Sequence, residues 1–147
     1  MTAYSVAQGL IAGLHNKTAT IGIIGLGYVG LPLMLRYAEA GYVVLGFDID
    51  PAKVEALAQG RSYFAHIPSS RVVAVMSERF QATTDFSRAV EADDLIICVP
   101  TPLNPYREPD LSYVVNTTKA LLPGLRQGQV VDTRGVYREE AEHIVRA

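Results

Sequence analysis

Short apolar runs alternate along this chain with stretches in which apolar residues recur at helical spacing. The runs are bounded by glycine, proline and acidic residues, a pattern typical of buried strands. We predict strands at residues 21–24, 42–47, 80–83, 94–99 and 129–133. We predict helices at residues 28–40, 51–59, 69–79, 86–92, 111–122 and 138–145. Strands alternating with helices indicate an α/β fold with a parallel sheet and right-handed crossovers.

Residues 1–19 form a separate segment ahead of the first strand. Val6, Leu10, Ile11 and Leu14 recur there at helical spacing, which predicts a short amphipathic helix. Such a helix packs either on the domain or on a partner, and the pattern favours the domain.

The first predicted strand leads into a glycine-rich turn. Gly25-Leu26-Gly27-Tyr28-Val29-Gly30 fits the pattern G-x-G-x-x-G. In a strand–turn–helix context, Gly25 allows the tight turn, Gly27 lets the backbone approach a pyrophosphate, and Gly30 allows close packing of the helix. The helix N-terminus favours the anion through its free N–H groups and its dipole. This predicts a Rossmann-type doubly wound sheet that binds a dinucleotide.

Asp48 ends the second predicted strand, at the distance from the glycines where this motif places an acid for the adenosine ribose. A carboxylate there repels a 2′-phosphate, so we expect NAD rather than NADP. The alternative is that Asp48 caps the helix that begins near Pro51, although Asp50 is better placed for that purpose.

Composition and charge narrow the function classes. The 147 residues are enough for one domain with its own core, and 49% hydrophobic with 19% charged residues indicates a globular chain. A net charge of −2 without a basic cluster argues against binding to nucleic acid or a membrane surface. No apolar run is long enough to span a bilayer. The single cysteine, Cys98, forms no internal disulfide and suggests a cytoplasmic location.

A proline-rich loop follows the fourth predicted strand, over residues 100–110. In a doubly wound sheet this edge borders the ligand. Thr101 can donate to a ribose or phosphate oxygen, and Arg107 can pair with a phosphate. Alternatively, Arg107 and Glu108 form a solvated surface pair. We place Arg107 and Glu108 on the substrate side.

Other reactive residues give weaker signals. Cys98 lies in an apolar strand with no histidine nearby in sequence, which indicates packing rather than catalysis. The three histidines lack metal-ligand spacing, so we predict no metal site. His66 can reach a ligand but is more typical of a surface turn. No residue can be assigned as a catalytic base or nucleophile.

Several segments together resemble the UDP-glucose/GDP-mannose dehydrogenase family. They are GIIGLGYVGLPL, GFDID followed by Lys53, CVPTPLN and YREPDLSYV, and with HIP and ATTDFS they look closest to the UDP-N-acetylglucosamine 6-dehydrogenase branch. The resemblance covers residues 20–131 and implies that NAD⁺ oxidises the 6-hydroxymethyl group of a UDP-sugar to a carboxylate. It implies that Asp48 and Lys53 hold the adenosine ribose and that Thr101 lies along the cofactor. The predicted cofactor-binding residues are Gly25, Gly27, Tyr28, Val29, Gly30, Asp48, Ile49, Lys53, Val99, Pro100 and Thr101.

The chain departs from the family pattern after Val131. Family members continue into a Ser-Thr-x-x-Pro-Gly loop, whereas this chain reads Asp132-Thr133-Arg134-Gly135-Val136-Tyr137. Residues 132–147 resemble the end of the family's UDP-binding domain, which predicts an internal deletion; the alternative is an ordinary strand and turn. The family's catalytic cysteine and UDP-binding regions are then missing. We expect NAD binding without sugar turnover, and self-association through the exposed sheet edge.

Two further functions compete with this prediction. A non-catalytic NAD-sensing module would carry the same glycine turn and Asp48. A stable fragment without a cellular role is also compatible with the sequence. A short-chain dehydrogenase is a poor fit, because no lysine lies four positions after a tyrosine.

Overall fold

The computed structural model describes residues 2–133, which form a five-stranded parallel sheet in the order β3-β2-β1-β4-β5. The strands are β1 (Thr20–Ile24), β2 (Val43–Phe47), β3 (Phe80–Thr83), β4 (Asp94–Ile97) and β5 (Val130–Thr133). The helices are α1 (Ala3–His15), α2 (Gly30–Glu39), α3 (Pro51–Ala58), α4 (Ser69–Val75) and α5 (Ser112–Leu121), with 3₁₀ turns at Phe86–Glu91 and Leu122–Gly124. This strand order is that of a doubly wound dinucleotide-binding fold, so the predicted fold class is confirmed.

The core lies on both faces of the sheet. Ile21 and Ile23 of β1 pack in one buried cluster with Met34 of α2, whereas Ile24 packs in a second cluster with Leu121 of α5. Side chains alternate between the faces of a strand. The apolar run of β1 therefore reflects burial on both sides, as a parallel sheet covered by two helix layers requires.

Local signals set the ends of α2 and α3. Gly41 takes a positive φ of 98° just after α2, and the N–H of Tyr42 donates to the Tyr37 carbonyl at 3.1 Å. This closure favours glycine, because the left-handed conformation crowds a Cβ. At the start of α3 the Asp50 carboxylate accepts from the Ala52 N–H at 2.9 Å. The cap of α3 is therefore Asp50 and not Asp48.

Three predicted helices have different limits in the structure. The helix predicted at 69–79 ends at Val75, because Met76 leaves the helical conformation with ψ of 120° and Ser77 bridges back to Phe80. The helix predicted at 86–92 is a 3₁₀ turn that the Asp85 side chain caps through Ser87, and Ala92 is already extended toward β4. α2 begins at Gly30 rather than at residue 28, which leaves Tyr28 in the glycine turn.

The N-terminal helix α1 lies against the domain through its last turn. Leu14 packs on the core, and its carbonyl accepts from Tyr42 Oη at 2.8 Å. No residue of α1 is buried, and Tyr4 and Ile11 are exposed. Across residues 2–133, no helix is both long and apolar enough to cross a membrane. The helix predicted at 138–145 and nearly all of the tail proposed at 132–147 lie outside the described residues.

Candidate functional site

A cleft of about 480 Å³ opens where the carboxyl ends of β1, β2 and β4 meet. β1 lies between β2 and β4, and the chain runs from β1 to β2 on one side and from β3 back to β4 on the other. This is the switch point at which doubly wound sheets bind ligands. All of the predicted cofactor residues except Gly30 line the cleft: Gly25, Gly27, Tyr28, Val29, Asp48, Ile49, Lys53, Val99, Pro100 and Thr101.

The three motif glycines meet different surroundings. Gly25 has φ of 93°, and a Cβ there would lie 3.0 Å from the Cys98 carbonyl. A Cβ on Gly30 would lie 1.6 Å from the Gly25 carbonyl oxygen, so α2 packs on the turn only because Gly30 has no side chain. A Cβ on Gly27 would meet nothing within 4 Å, because the residue faces the open cleft. Two glycines therefore build the turn, and the third leaves space above it.

The Asp48 carboxylate joins the end of β2 to the glycine turn. Its Oδ2 accepts from the Leu26 N–H at 2.8 Å, and its Oδ1 accepts from the Asp50 N–H at 2.9 Å. The residue is 7% exposed. Each carboxylate oxygen can accept a second hydrogen bond, so this side chain can bind a hydroxyl pair while it holds the turn.

Lys53 and Tyr63 surround Asp48 on the α3 side. Lys53 Nζ lies 3.6 Å from Asp48 Oδ2 and 5.8 Å from the centre of the Tyr63 ring. Tyr63 Oη donates to the Leu26 carbonyl at 2.5 Å. Burial, followed by the negative charges of Asp48 and Asp50, raises the pKa of Tyr63 above its ordinary value. Tyr63 therefore remains a neutral donor, and it holds the carbonyl of the same residue, Leu26, whose N–H donates to Asp48.

Tyr28 carries an aromatic stack at the edge of the turn. Its ring lies 4.5 Å from Phe64 and 6.2 Å from His66, in stacked orientations. Tyr28 itself is 76% exposed. His66 was predicted to be a surface turn residue, and it is exposed and does not line the cleft.

Six residues that line the cleft were not among the predicted cofactor residues. Ile24, Leu26 and Cys98 lie at the end of β1, in the glycine turn and directly after β4, and the others are Phe86, Tyr113 and Thr117. Phe86 belongs to the 3₁₀ turn before β4, and its ring lies 5.7 Å from the buried ring of Phe47. Tyr113 and Thr117 stand four positions apart on α5, so they share one face of that helix. That spacing was the available signal, but only the tertiary fold shows that this face borders the cleft.

The loop at residues 100–110 folds back on itself beside the cleft. The Asp110 N–H donates to the Pro102 carbonyl at 2.7 Å, and Leu103 bridges Pro109. At its tip, Asn104 Oδ1 accepts from the Glu108 N–H at 3.0 Å, and Arg107 takes a positive φ of 62°. Arg107 and Glu108 are exposed and do not line the cleft. Their substrate-side role stays a prediction.

The described residues show no metal-binding cluster, and their one cysteine is buried. Cys98 is buried beside the glycine turn. Within residues 2–133, no group of three or more His, Cys, Asp or Glu residues is arranged to hold a metal ion. A second groove of about 480 Å³ lies between α1 and the segment before β5, at the amino ends of the strands. It contains the Arg126–Asp93 ion pair at 2.7 Å and is remote from the carboxyl edge.

Comparisons with known proteins agree with this geometry. The model of the UDP-glucose/GDP-mannose dehydrogenase family, NAD binding domain, matches residues 19–145. The UDP-N-acetyl-D-mannosamine dehydrogenase of Escherichia coli (strain K12) is 36% identical over 115 residues, which cover 77% of this chain and 27% of that protein. The chain thus spans about a quarter of the length of this curated relative.

Two solved structures have the same architecture. The UDP-D-ManNAc dehydrogenase of Pyrococcus horikoshii superposes with a TM-score of 0.79 at 28% identity. The superposed region covers 86% of this chain and 31% of that protein. The GDP-mannose dehydrogenase of Pseudomonas aeruginosa, solved as a ternary complex, superposes with a TM-score of 0.78 at 27% identity. The superposed region covers 85% of this chain and 30% of the Pseudomonas aeruginosa protein.

Proposed function

Because the chain belongs to the UDP-glucose/GDP-mannose dehydrogenase family as its NAD-binding domain, we propose that it serves the oxidation of a UDP-N-acetylhexosamine. In that reaction the 6-hydroxymethyl group becomes a carboxylate and NAD⁺ accepts the hydrides. The observation that carries the proposal is the Asp48 carboxylate at the switch-point cleft, hydrogen-bonded to the glycine turn. The relative named for N-acetyl-D-mannosamine supports an acetamido sugar as substrate.

The cleft residues have distinct proposed roles. Asp48 binds the adenosine ribose hydroxyls, and Lys53, at 3.6 Å, orients that carboxylate. The pyrophosphate lies over Gly27, where the space that a Cβ would fill is open, and against the N-terminus of α2. Val99, Pro100 and Thr101 direct the remaining half of the cofactor toward the loop at residues 100–110, where Arg107 and Glu108 face the sugar nucleotide.

The chain alone binds the cofactor but does not oxidise a sugar. The one cysteine, Cys98, lines the cleft but is only 8% exposed and lies against the glycine turn, which favours packing over attack on a substrate carbon. We assign no side chain that lines the cleft as a catalytic base. Asp48 lines the cleft, but its carboxylate accepts hydrogen bonds from the backbone of the turn. Hydride transfer also requires a sugar held against the nicotinamide. The cytoplasmic location remains a prediction from the single cysteine, which cannot form an internal disulfide.

A chimera tests the assignment. The NAD-binding portion of the Escherichia coli relative would be replaced by this chain, and NADH formation would be followed by absorbance with UDP-N-acetyl-D-mannosamine. We expect sugar-dependent NADH from the chimera, none from the isolated chain, and a raised KM for NAD⁺ in a chimera carrying Asp48→Asn. A chimera that folds and binds NAD⁺ but gives no sugar-dependent NADH would contradict the proposed substrate class. Sugar-dependent NADH from the isolated chain would contradict the proposal that this chain binds NAD⁺ but cannot oxidise a sugar alone.

A further inference from the structure

We propose that helix α1 is a contact surface for a second copy of this chain, and that two copies associate through an antiparallel pair of α1 helices. The helix precedes residues 19–145, the region that matches the family model. It borders the groove at the amino ends of the strands, whereas the glycine turn lies at their carboxyl ends. The inference is therefore independent of the proposed cofactor and substrate.

The domain covers α1 only in part. No residue of the helix is buried, and Val6, Leu10 and Leu14 are half-buried on the side that faces the domain. Gly9 and Gly13 are poor helix formers. The helix contains no Asp, Glu, Lys or Arg that could form stabilising ion pairs between successive turns. Because a helix of this length gains most of its stability from tertiary packing, we expect a further surface to cover α1.

An exposed apolar stripe runs along α1 beside the covered side. Tyr4, Ala7 and Ile11 are spaced by three and four residues, so they share one face of the helix. Tyr4 is 74% exposed and Ile11 is 55% exposed. The Gln8 side-chain amide donates to Tyr4 Oη at 2.9 Å, which holds the tyrosine ring along the helix. Apolar residues at this spacing are typical of a seam between two helices.

Contacts at the C-terminal end of α1 hold the stripe in a fixed position. The Leu14 carbonyl accepts from Tyr42 Oη at 2.8 Å. Just after the helix, Lys17 Nζ donates to the Ala40 carbonyl at 2.6 Å. The helix is thus attached to the domain before any partner binds, which lowers the ordering cost of association.

The chemistry of the stripe fits a second copy of the same chain. In a two-fold symmetric contact each surface meets its own copy, so a charged surface would face like charges. α1 has no Asp, Glu, Lys or Arg, and the net charge of the chain is only −2. A lipid surface fits less well, because helices that lie on membranes are rich in Lys and Arg on their polar face.

An antiparallel alignment satisfies the stripe on both copies. When the symmetry axis passes between Ala7 and Gln8, Tyr4 of each copy lies against Ile11 of the other. The small Ala7 side chains near the axis then allow the two helices to approach closely. This alignment also brings the positive end of each helix dipole beside the negative end of the other.

The size of the stripe predicts a weak dimer. A large aromatic side chain buries about 150–250 Å², so Tyr4 and Ile11 of two copies together bury at most about 1,000 Å². This area is below the roughly 1,200 Å² at which stable interfaces begin. We therefore expect a dissociation constant of about 10 µM to 1 mM.

Sedimentation velocity of the full chain, from about 5 µM to about 1 mM, tests the inference across that range. We expect a monomer–dimer equilibrium. Ile11→Asp should raise its dissociation constant by about tenfold or more, because a carboxylate then enters the apolar seam. The control is Ala12→Asp, at an exposed position on another face of α1, which should change the constant by less than about threefold. NAD⁺ binding should be unchanged in both variants.

Three results would overturn the inference. The natural chain could remain monomeric at the highest concentration, or Ile11→Asp and Ala12→Asp could weaken the dimer equally. A dimer unaffected by Ile11→Asp would place the contact elsewhere, for example at the sheet edge. In each case the proposed function is untouched, because calorimetry with NAD⁺ tests it separately.

Cross-linking locates the seam without adding a charge to the helix. With a short bis-maleimide, Ala7→Cys should give covalent dimers, whereas Ala12→Cys should not. The natural chain is the control, because its Cys98 is only 8% exposed. Covalent dimers formed equally by both variants would contradict the antiparallel seam. Flotation with phosphatidylcholine vesicles should leave the chain unbound; a monomeric chain that floats with them would overturn the inference in favour of a lipid surface.

Discussion

The Asp48 carboxylate holds the N–H of Leu26 at 2.8 Å, across the boundary between β2 and the glycine turn. The pair links the two parts of the cleft to which we assign the ribose and the pyrophosphate. Because Asp48 is 7% exposed, its charge is screened little by water. The same side chain thus stabilises the turn and offers its remaining lone pairs to the ligand.

Asp48→Asn should weaken NAD⁺ binding by about tenfold or more, because a charged acceptor is replaced by an amide that accepts at one oxygen only. The side chain keeps its size, so the loss reflects hydrogen bonding. Calorimetry measures the affinity, and thermal unfolding shows that the variant is folded. Glu55→Gln, an exposed change on α3, is the control. Undiminished NAD⁺ affinity in a folded Asp48→Asn variant would refute the ribose role.

The same substitution should change the cofactor preference. Lys53 Nζ lies 3.6 Å from Asp48 Oδ2, so removal of the negative charge leaves an ammonium beside the position of the 2′-phosphate. We expect NADP⁺ to bind more tightly to Asp48→Asn than to the natural chain. The double variant Asp48→Asn with Lys53→Met should lose that gain. If the gain persists without Lys53, this ammonium is not its source.

Gly27→Ala and Gly30→Ala should fail in different ways. A Cβ on Gly27 has open space, so the melting temperature should stay unchanged while NAD⁺ binding falls sharply as the methyl group enters the pyrophosphate position. A Cβ on Gly30 would collide with the Gly25 carbonyl at 1.6 Å, so this variant should lose about 3 kcal/mol of unfolding free energy. Thermal unfolding and calorimetry on both variants make the comparison. A Gly27→Ala variant that melts earlier and still binds NAD⁺ would reverse these roles.

Tyr63→Phe should expose a dependence on alkaline pH. The pKa of Tyr63 is raised above its ordinary value of 10.0 by burial and by the charges of Asp48 and Asp50. Its stabilising contribution is therefore full below about pH 10 and is lost as the pH rises toward the folded-state pKa. The natural chain should exceed Tyr63→Phe by about 1 kcal/mol near neutral pH, from the bond to Leu26, and the difference should shrink above about pH 10.

Urea unfolding at several pH values measures that difference, and Tyr106→Phe, at an exposed tyrosine, is the control. A difference that stays constant through the alkaline range would show that Tyr63 ionises alike in the folded and unfolded states.

Sequence patterns located the part of the site that follows from local chemistry. The glycine turn, Asp48 and Lys53 lie in one β–α–β unit, where spacing along the chain determines position in space. Phe86, Tyr113 and Thr117 reach the cleft from the other helix layer. Their contribution depends on how that layer packs, which no local pattern encodes. The helix limits at Val75 and Glu91 were missed for a related reason, since bridging and capping contacts end those segments.

The most direct test of the NAD-binding assignment is a calorimetric titration of the full chain with NAD⁺ and, in parallel, with NADP⁺. We predict saturable binding of NAD⁺ at one site and much weaker binding of NADP⁺, because the Asp48 carboxylate repels a 2′-phosphate. Equal binding of the two cofactors would contradict the role of Asp48. A folded chain that binds neither would contradict the assignment of the cleft itself.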